Sequence, residues 1–579
     1  MSLSRKTIIF LLFTVCFLVY SVNLNNPLFW DDDDWIVNNP FVHGFSNLDK
    51  LFTENVLAGF GLNSNYYRPL LMASFAFNWV LGGSHPVGYH IVSNLLHIGN
   101  GILLFLIFYS IWKRKIPAFL GALFFLIHPL QTEAVTYISG RGDPLSVFFI
   151  LISLILFDRF VRGKRISLRW WSLAFAILAI LSRESAVLIP GLFLVYYVAF
   201  LTGLPFWRSI GAGIKKLWPH LLAAGTYFIL RLTILNFNHT LNFYHDQPSE
   251  YSLNILYRLF TFGRVLAEYF RLLIWPTGLH MERDVPLVTS FFSWPAIFLT
   301  GLGIGLICIL MFLYSRRSKS SLHLEIYQVS FFSVGWFFTG LLLVSGIIPI
   351  NAIMYEHWLY LPMIGVSALF GFFVFQLLNR FQARKILSSL IILFLVGYGM
   401  FLSAQTVKRN ILWGKPVQFY EDILKYNPNT VRVLNNLANI YNSRGNTARA
   451  EELYTQAIRQ PNGKIFAQPY YNLGNIYRDR GQLDRAVEEY KKAIEADPAF
   501  PFAYQNIAVI YAGQGNLSGA ADMLEKVKNI KPYDPAIYYN LGLIYRAMGD
   551  NNQAIENFKG GLALSPPSDL REAIERELK

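Results

Sequence analysis

The amino-acid sequence predicts an all-α protein in two parts. A polytopic helical membrane bundle of about eleven crossings plus interfacial helices occupies residues 1–410, and an α-solenoid of helical repeats occupies 411–579. Three observations lead there. Of 579 residues, 54% are hydrophobic and 15% charged, with a mean hydropathy of +0.36, outside the range of soluble domains. The cations come as short clusters between apolar runs: Lys113-Arg114-Lys115, Arg162 to Arg169, Arg208 with Lys215-Lys216, Arg316 to Lys319, and Arg380 to Lys385. Finally, Gly445, Gly481, Gly515 and Gly549 recur at intervals of 36, 34 and 34 residues.

The first span, about 7–24, follows Arg5 and Lys6. No small-residue cleavage site precedes Asn23 to Pro27, so it is expected to be an uncleaved anchor with a cytoplasmic N-terminus. The further crossings are expected near 88–111, 116–128, 144–160, 170–182, 186–203, 218–236, 293–314, 326–348, 357–379 and 386–404, since about 20 helical residues span the hydrocarbon core. The cationic clusters then mark the cytoplasmic side. Residues 257–275 are apolar but carry Arg258, Arg264, Glu268 and Arg271. Counting them as a crossing would put Arg316-Arg317 outside, so an interfacial or re-entrant helix with snorkelling basic side chains is expected. Eleven crossings place the C-terminal repeats outside the cytoplasm. The net charge of +14 follows the same positive-inside pattern and does not imply a nucleic-acid partner. Cys16 and Cys308 both lie in apolar spans, which excludes a disulfide framework and a cysteine metal site.

On this topology the long loop 25–87, the 129–143 loop, the Ser182-Arg183-Glu184 turn, the 237–292 region and 349–356 share the outer face. They hold the aspartate run Asp31 to Asp34, Arg68, His128, Glu133, Arg141, Asp143, Arg183, Glu184, His280, Glu282, Arg283, Glu356 and His357. Ionisable groups converging on one side of a bundle point to a site. Four adjacent carboxylates repel one another, which raises at least one pKa and suits a general base or a hard cation; a hydrated acidic loop fits the same residues.

In the repeats, Asn436-Leu437-Ala438-Asn439-Ile440-Tyr441 returns as Asn472 to Tyr477, Asn506 to Tyr511 and Asn540 to Tyr545, each running up to one of the four glycines. Ala450, Ala486, Ala520 and Ala554 follow five residues later, where two helices pass too closely for a larger side chain, and Pro498, Pro532 and Pro566 close repeats. This is the tetratricopeptide pattern. Such solenoids present a groove for extended peptide; this one carries no catalytic constellation. Asn238-His239-Thr240 and Asn516-Leu517-Ser518 match the glycosylation sequon.

Phe29-Trp30-Asp31-Asp32 with Ile36-Val37-Asn38-Asn39-Pro40, then Asn65-Tyr66-Tyr67-Arg68-Pro69-Leu70, Gly88-Tyr89-His90 with Asn94-Leu95-Leu96-His97, His128-Pro129, Thr132-Glu133-Ala134-Val135 and Gly140-Arg141-Gly142-Asp143 resemble the motifs of the transmembrane-and-tetratricopeptide O-mannosyltransferases and their bacterial relatives. These are similar to the wider GT-C glycosyltransferase superfamily. The resemblance covers the first 150 residues and the repeats; residues 200–410 share only general character, and Asp33 and Asp34 extend past the family's pair without an assigned role.

The resemblance implies a GT-C-like bundle that moves a sugar, mannose in that family, from a polyprenyl-phosphate carrier to an extracytoplasmic acceptor such as a protein hydroxyl, with inversion. A hydroxyl needs a positioned carboxylate to take its proton, and one base suffices for a single inverting attack. Asp31 and Asp32 are the expected base and its partner. Arg68, Arg141 and Arg183 are expected at the donor phosphate, and Glu133, Asp143 and His128 at the acceptor or sugar. No obligatory cofactor or metal is expected, although a four-carboxylate run suits Mg²⁺ or Mn²⁺. Plainer roles fit some of these residues: Arg68 as an interfacial anchor, His128 as a helix cap, Arg183 paired with Glu184, and His90 with His97 packed in the core. The expected partners are the bilayer, the lipid-linked donor and a protein acceptor in the repeat groove. The expected location is a bacterial inner membrane with repeats on the periplasmic or outer side, or an endoplasmic reticulum membrane with repeats in the lumen. A membrane-anchored scaffold without catalysis is the alternative, although an anchor needs one or two spans rather than eleven.

Overall fold

The computed structural model describes residues 4–579 other than 61, 63, 238–249, 351, 462, 533, 565 and 567, and the described residues are helical with no strand. The Asn238-His239-Thr240 sequon lies outside the described residues. The chain divides into two compact units, Met1–Pro416 and Val417–Lys579. The division falls six residues past the expected 410 because the bundle's last helix continues to Trp413, whose ring stacks on Tyr137 at 5.4 Å and meets Phe29 at 5.7 Å.

Every expected crossing falls on a helix. These are Arg5–Tyr20, Pro86–Trp112, Lys115–Ile127, Gly142–Gly163, Ile166–Ser182, Ile189–Phe200, Phe206–Leu232, Trp294–Arg316, Ser321–Leu341, Met363–Phe381 and Lys385–Trp413. Among the described residues, seven helical stretches are long and apolar enough by length and composition to cross a membrane, or eight if Lys115–Ile127 and Pro129–Val135, bent by 53°, form one span. Ile166–Ser182 and Glu184–Phe200 are apolar but short, while Phe206–Leu232 carries Arg208, Lys215 and Lys216 and an internal Pro219. Trp294–Arg316 and Lys385–Trp413 leave Ile304, Ile307, Phe312, Leu393 and Phe394 exposed, a surface suited to lipid and not to water. The Ile255–Ile274 helix, expected at the interface, buries Arg258 through bonds to the Gly346, Tyr251 and Ser252 carbonyls.

Small residues let these helices touch. A Cβ on Gly371 would lie 2.4 Å from the Pro117 carbonyl oxygen and 2.7 Å from the Gly121 nitrogen, so Met363–Phe381 and Lys115–Ile127 pack backbone to backbone.

In the second unit, helix pairs such as Ala467–Asp479 with Leu483–Ala496 are joined by a glycine in the left-handed region, with φ of +78°, +75°, +79° and +84° at Gly445, Gly481, Gly515 and Gly549. Ala450, Ala486, Ala520 and Ala554 are buried. An amide chain runs between repeats: Asn472 donates to Asn435 and Asn439 Oδ1 at 2.9 and 3.0 Å, and Asn506 to Asn475 Oδ1 at 2.9 Å. Asn516 of the second sequon caps Leu517–Ile530 by accepting from Gly519 N. The two kinds of glycine predict different costs. Gly481→Ala meets nothing within 4 Å and is expected to cost about 1 kcal/mol in backbone strain alone. Gly542→Ala would place its Cβ 2.4 Å from the Phe558 ring and is expected to cost about 1–3 kcal/mol through overpacking. Thermal unfolding of the isolated repeat unit, or proteolysis within the whole protein, ranks them; equal loss would contradict the packing argument.

Candidate active site

The acidic loop begins with strain. Trp30 is buried at φ +66°, a region a bulky side chain rarely enters. That turn sends the four carboxylates apart. Asp32 is 2% exposed and bonds to the 129–143 loop, accepting from Ser139 N at 2.8 Å and Ser139 Oγ at 2.6 Å, with Phe29 N at 3.4 Å. Burial pushes its carboxyl up to about 7, against these bonds, which lower it. Asp33 is exposed and starts a wide helical turn through Val37. Asp34 is half-buried and raised to about 7, by burial first and then by the Asp31 and Asp33 charges. Asp31 is half-buried, and among the described residues its carboxylate accepts no hydrogen bond. The expected pair therefore differs in its surroundings: Asp32 fastens the loop to Ser139, and Asp31 accepts no hydrogen bond among the described residues.

The last helix holds this loop from the other side. Asn26 Nδ2 donates to the Asn410 carbonyl at 2.8 Å, Asn410 Nδ2 to the Val19 carbonyl at 3.2 Å, and Thr136 Oγ1 to Asn410 Oδ1 at 2.5 Å. Asn23 and Asn94 exchange amide bonds at 2.9 and 3.1 Å beside them.

Next to the loop lies a chain of buried ion pairs. Arg68 Nε contacts Glu184 Oε2 at 2.9 Å, and its guanidinium lies over the Tyr66 and Trp35 rings at 4.4 and 5.7 Å. Its two terminal nitrogens donate to no described residue. Arg183 pairs with Asp143 at 2.8 Å, not with the neighbouring Glu184. Glu133, fully buried, accepts from His357 Nδ1 at 2.5 Å and from Glu356 N at 3.2 Å. Burial lowers the His357 pKa to about 3, so the neutral ring serves as a hydrogen-bond donor here. Glu356 in turn accepts from Arg283 and His280 N, both at 2.8 Å, and Arg283 reaches Glu268 at 3.1 Å.

Two of the expected site residues are bonded within the fold. Arg141 is fully buried, with Nε on Ser93 Oγ at 3.1 Å, Nη1 on Asn78 Oδ1 at 2.8 Å and Ser74 Oγ at 3.1 Å, and Nη2 on the Tyr89 carbonyl at 2.9 Å. The Phe75 ring covers it at 4.9 Å. Its fork is bonded to the Pro69–Gly82 and Pro86–Trp112 helices. His128, also fully buried, caps its turn by accepting from Leu130 N and bonds to the Leu273 carbonyl at 3.2 Å. His90 and His97 are packed in the core, against the Asn26 carbonyl and between Tyr360 and the Leu126 carbonyl.

Sequence reasoning passed over Ser139 and Arg409. Arg409 is 4% exposed and its charge acts on Glu133 and His280. The available signal was Lys408-Arg409 just past the last expected crossing, on the side the charge pattern assigns to the outside and so against the positive-inside rule. The four aspartates do not gather with other ligands; no group of three or more His, Cys, Asp or Glu among the described residues is placed to hold a metal.

Comparison with known proteins matches both halves. A family model described as TPR repeat covers residues 474–515, and models described as Tetratricopeptide repeat cover 535–567 and 430–459. The chain is 24% identical over 468 residues to Protein O-mannosyl-transferase F38B6.6 of Caenorhabditis elegans, covering 78% of this chain and 62% of that protein. It is 25% identical over 491 residues to human Protein O-mannosyl-transferase TMTC4, covering 76% and 64%. Against mouse Protein O-mannosyl-transferase TMTC1 the identity is 34% over 147 residues, 24% of this chain and 16% of that one. The likeness carried by the first-loop motifs thus extends over about three quarters of the chain, which spans less than two thirds of the length of these relatives.

Proposed function

We propose that this chain, similar over most of its length to proteins named O-mannosyl-transferases, is an integral membrane glycosyltransferase. It would transfer a sugar, mannose by that likeness, from a polyprenyl phosphate to a protein hydroxyl on the outer side. The observation that carries the reading is Asp31: a half-buried carboxylate that accepts no hydrogen bond among the described residues, on a loop fastened by Asp32, while Arg68, with two uncommitted terminal nitrogens, lies over the Trp35 ring of the same loop. As the acceptor oxygen attacks the anomeric carbon from the face opposite the phosphate, its proton passes to Asp31. The bond from that carbon to the phosphate oxygen breaks, and the lipid phosphate leaves with the electron pair. One base and one displacement invert the centre. Arg68 stabilises the departing phosphate, which is more negative than the bound diester. Arg183, held by Asp143, adds positive charge to the same region, and Glu133 with His357 supports the wall of the site. Two arginines can neutralise a lipid monophosphate, so no metal is required. The repeats bind an extended segment of the acceptor protein, the common use of such grooves.

Purified protein incubated with radiolabelled polyprenyl-phosphate sugars and acceptor peptides tests this. Aspartate-dependent turnover supports it; folded protein inert with every donor and acceptor favours the membrane-anchored scaffold. Arg68→Gln is expected to lower kcat/KM for the lipid donor about 100-fold while the acceptor KM holds. A comparable change in acceptor KM would mark Arg68 as an anchor of the fold.

A further inference from the structure

At the cation-rich end of the bundle, away from the acidic loop in sequence and in charge, two cations share one ring. The Arg169 guanidinium lies 5.6 Å from the Phe160 ring centroid and Lys216 Nζ lies 5.4 Å from it. Arg169 also sits 5.1 Å from the Trp218 ring, which meets Trp170 edge-on at 6.2 Å. The Nε and Nη2 atoms of Arg169 are enclosed and have no hydrogen-bond partner among the described residues, an expensive condition for a charged donor. The acid at this end, Asp158, is committed to Arg162 at 2.9 Å and Tyr196 at 3.0 Å. No described carboxylate pairs with Arg169 or Lys216. Beneath them, His220 is 2% exposed, bonded through Nε2 to Ser172 Oγ at 3.0 Å, with Nδ1 unpartnered.

We propose that Arg169 and Lys216 hold the phosphate of an anionic phospholipid headgroup. The enclosed guanidinium nitrogens lack an acceptor, and a phosphoryl oxygen is the acceptor that matches a guanidinium fork. The surroundings select a lipid over a free anion. Trp170, Trp171 and Trp218 are exposed around the two cations, and Leu221 and Leu222 continue the exposed apolar surface along the same helix as Lys216. Interfacial tryptophans over an apolar surface are the setting of a headgroup with its acyl chains below.

The test is native mass spectrometry of the detergent-purified full chain titrated with phosphatidylglycerol or phosphatidylcholine. Phosphatidylglycerol is expected to be retained over phosphatidylcholine. Arg169→Gln with Lys216→Gln is expected to reduce its retention about tenfold or more, and Lys216→Gln alone, a milder change at a partly exposed position, to reduce it in part. Lys215→Gln, next in sequence and exposed with no aromatic contact, is the control and should leave retention unchanged. Equal retention by the double variant, or equal loss in the Lys215 control, overturns the site in favour of diffuse surface charge. Displacement of the lipid by inorganic phosphate at matching concentration overturns the lipid assignment in favour of a free-anion site.

Discussion

Asp31→Asn is expected to reduce sugar transfer about 10²- to 10⁴-fold, the usual range for removing a general base, with thermal stability and membrane insertion unchanged. The amide keeps the shape of a side chain that bonds to no described neighbour and removes only the proton acceptor. Asp32→Asn is expected to lose activity by another route. Its carboxylate accepts both the amide and the hydroxyl of Ser139, and hydrogen bonds to charged groups contribute about 1.5–3 kcal/mol each. The acidic loop should loosen, and a drop in unfolding temperature should accompany the lost turnover. The measurement is a paired one, initial rate and thermal unfolding on each variant. Full activity in Asp31→Asn removes this residue as the base, and stability loss in Asp31→Asn but not in Asp32→Asn would reverse the two roles.

The second large effect concerns stability. Arg141→Met is expected to destabilise the bundle by at least about 3 kcal/mol, because it strips the guanidinium from Ser93, Asn78, Ser74 and the Tyr89 carbonyl in a fully buried setting. Arg141→Lys should rescue little, since a single ammonium cannot reproduce a planar fork reaching two helices. Thermal unfolding in detergent reads the effect. A variant with wild-type stability and weakened donor binding would restore Arg141 to the phosphate site.

The bundle's helices and the repeats could be read from the chain because their signals are local: apolar runs of fixed length, and small residues at a fixed period. The acidic first loop stood out for the same reason, as a run of charge where a membrane protein has little use for one. The partnerships inside the site carry no such mark. Arg68 meets Glu184 across 116 residues and Glu133 meets His357 across 224, so the adjacency of Arg183 and Glu184 suggested a pair that the fold does not make. Arg141 and His128 sit in motifs beside reacting groups, and sequence cannot distinguish an arginine aimed at a ligand from one aimed at helix carbonyls. The crossings were placed by charge alternation, which registers every helix between clusters; among the described residues seven or eight of them also meet the length and apolarity of a crossing.

The clasp between the first loop and the last helix sets a schedule for synthesis. Asn26 waits for Asn410, 384 residues downstream, and Phe29, immediately before the strained Trp30 turn, waits for Trp413. Translation must pass residue 413 before the acidic loop has this second support. Until then the loop is held by its early partners, Ser139 and His90, and the ribosome has nearly finished the bundle before the last of its contacts forms. The acidic loop is therefore held from both ends of the bundle's sequence, by the 129–143 loop early in the chain and by the last helix late in it.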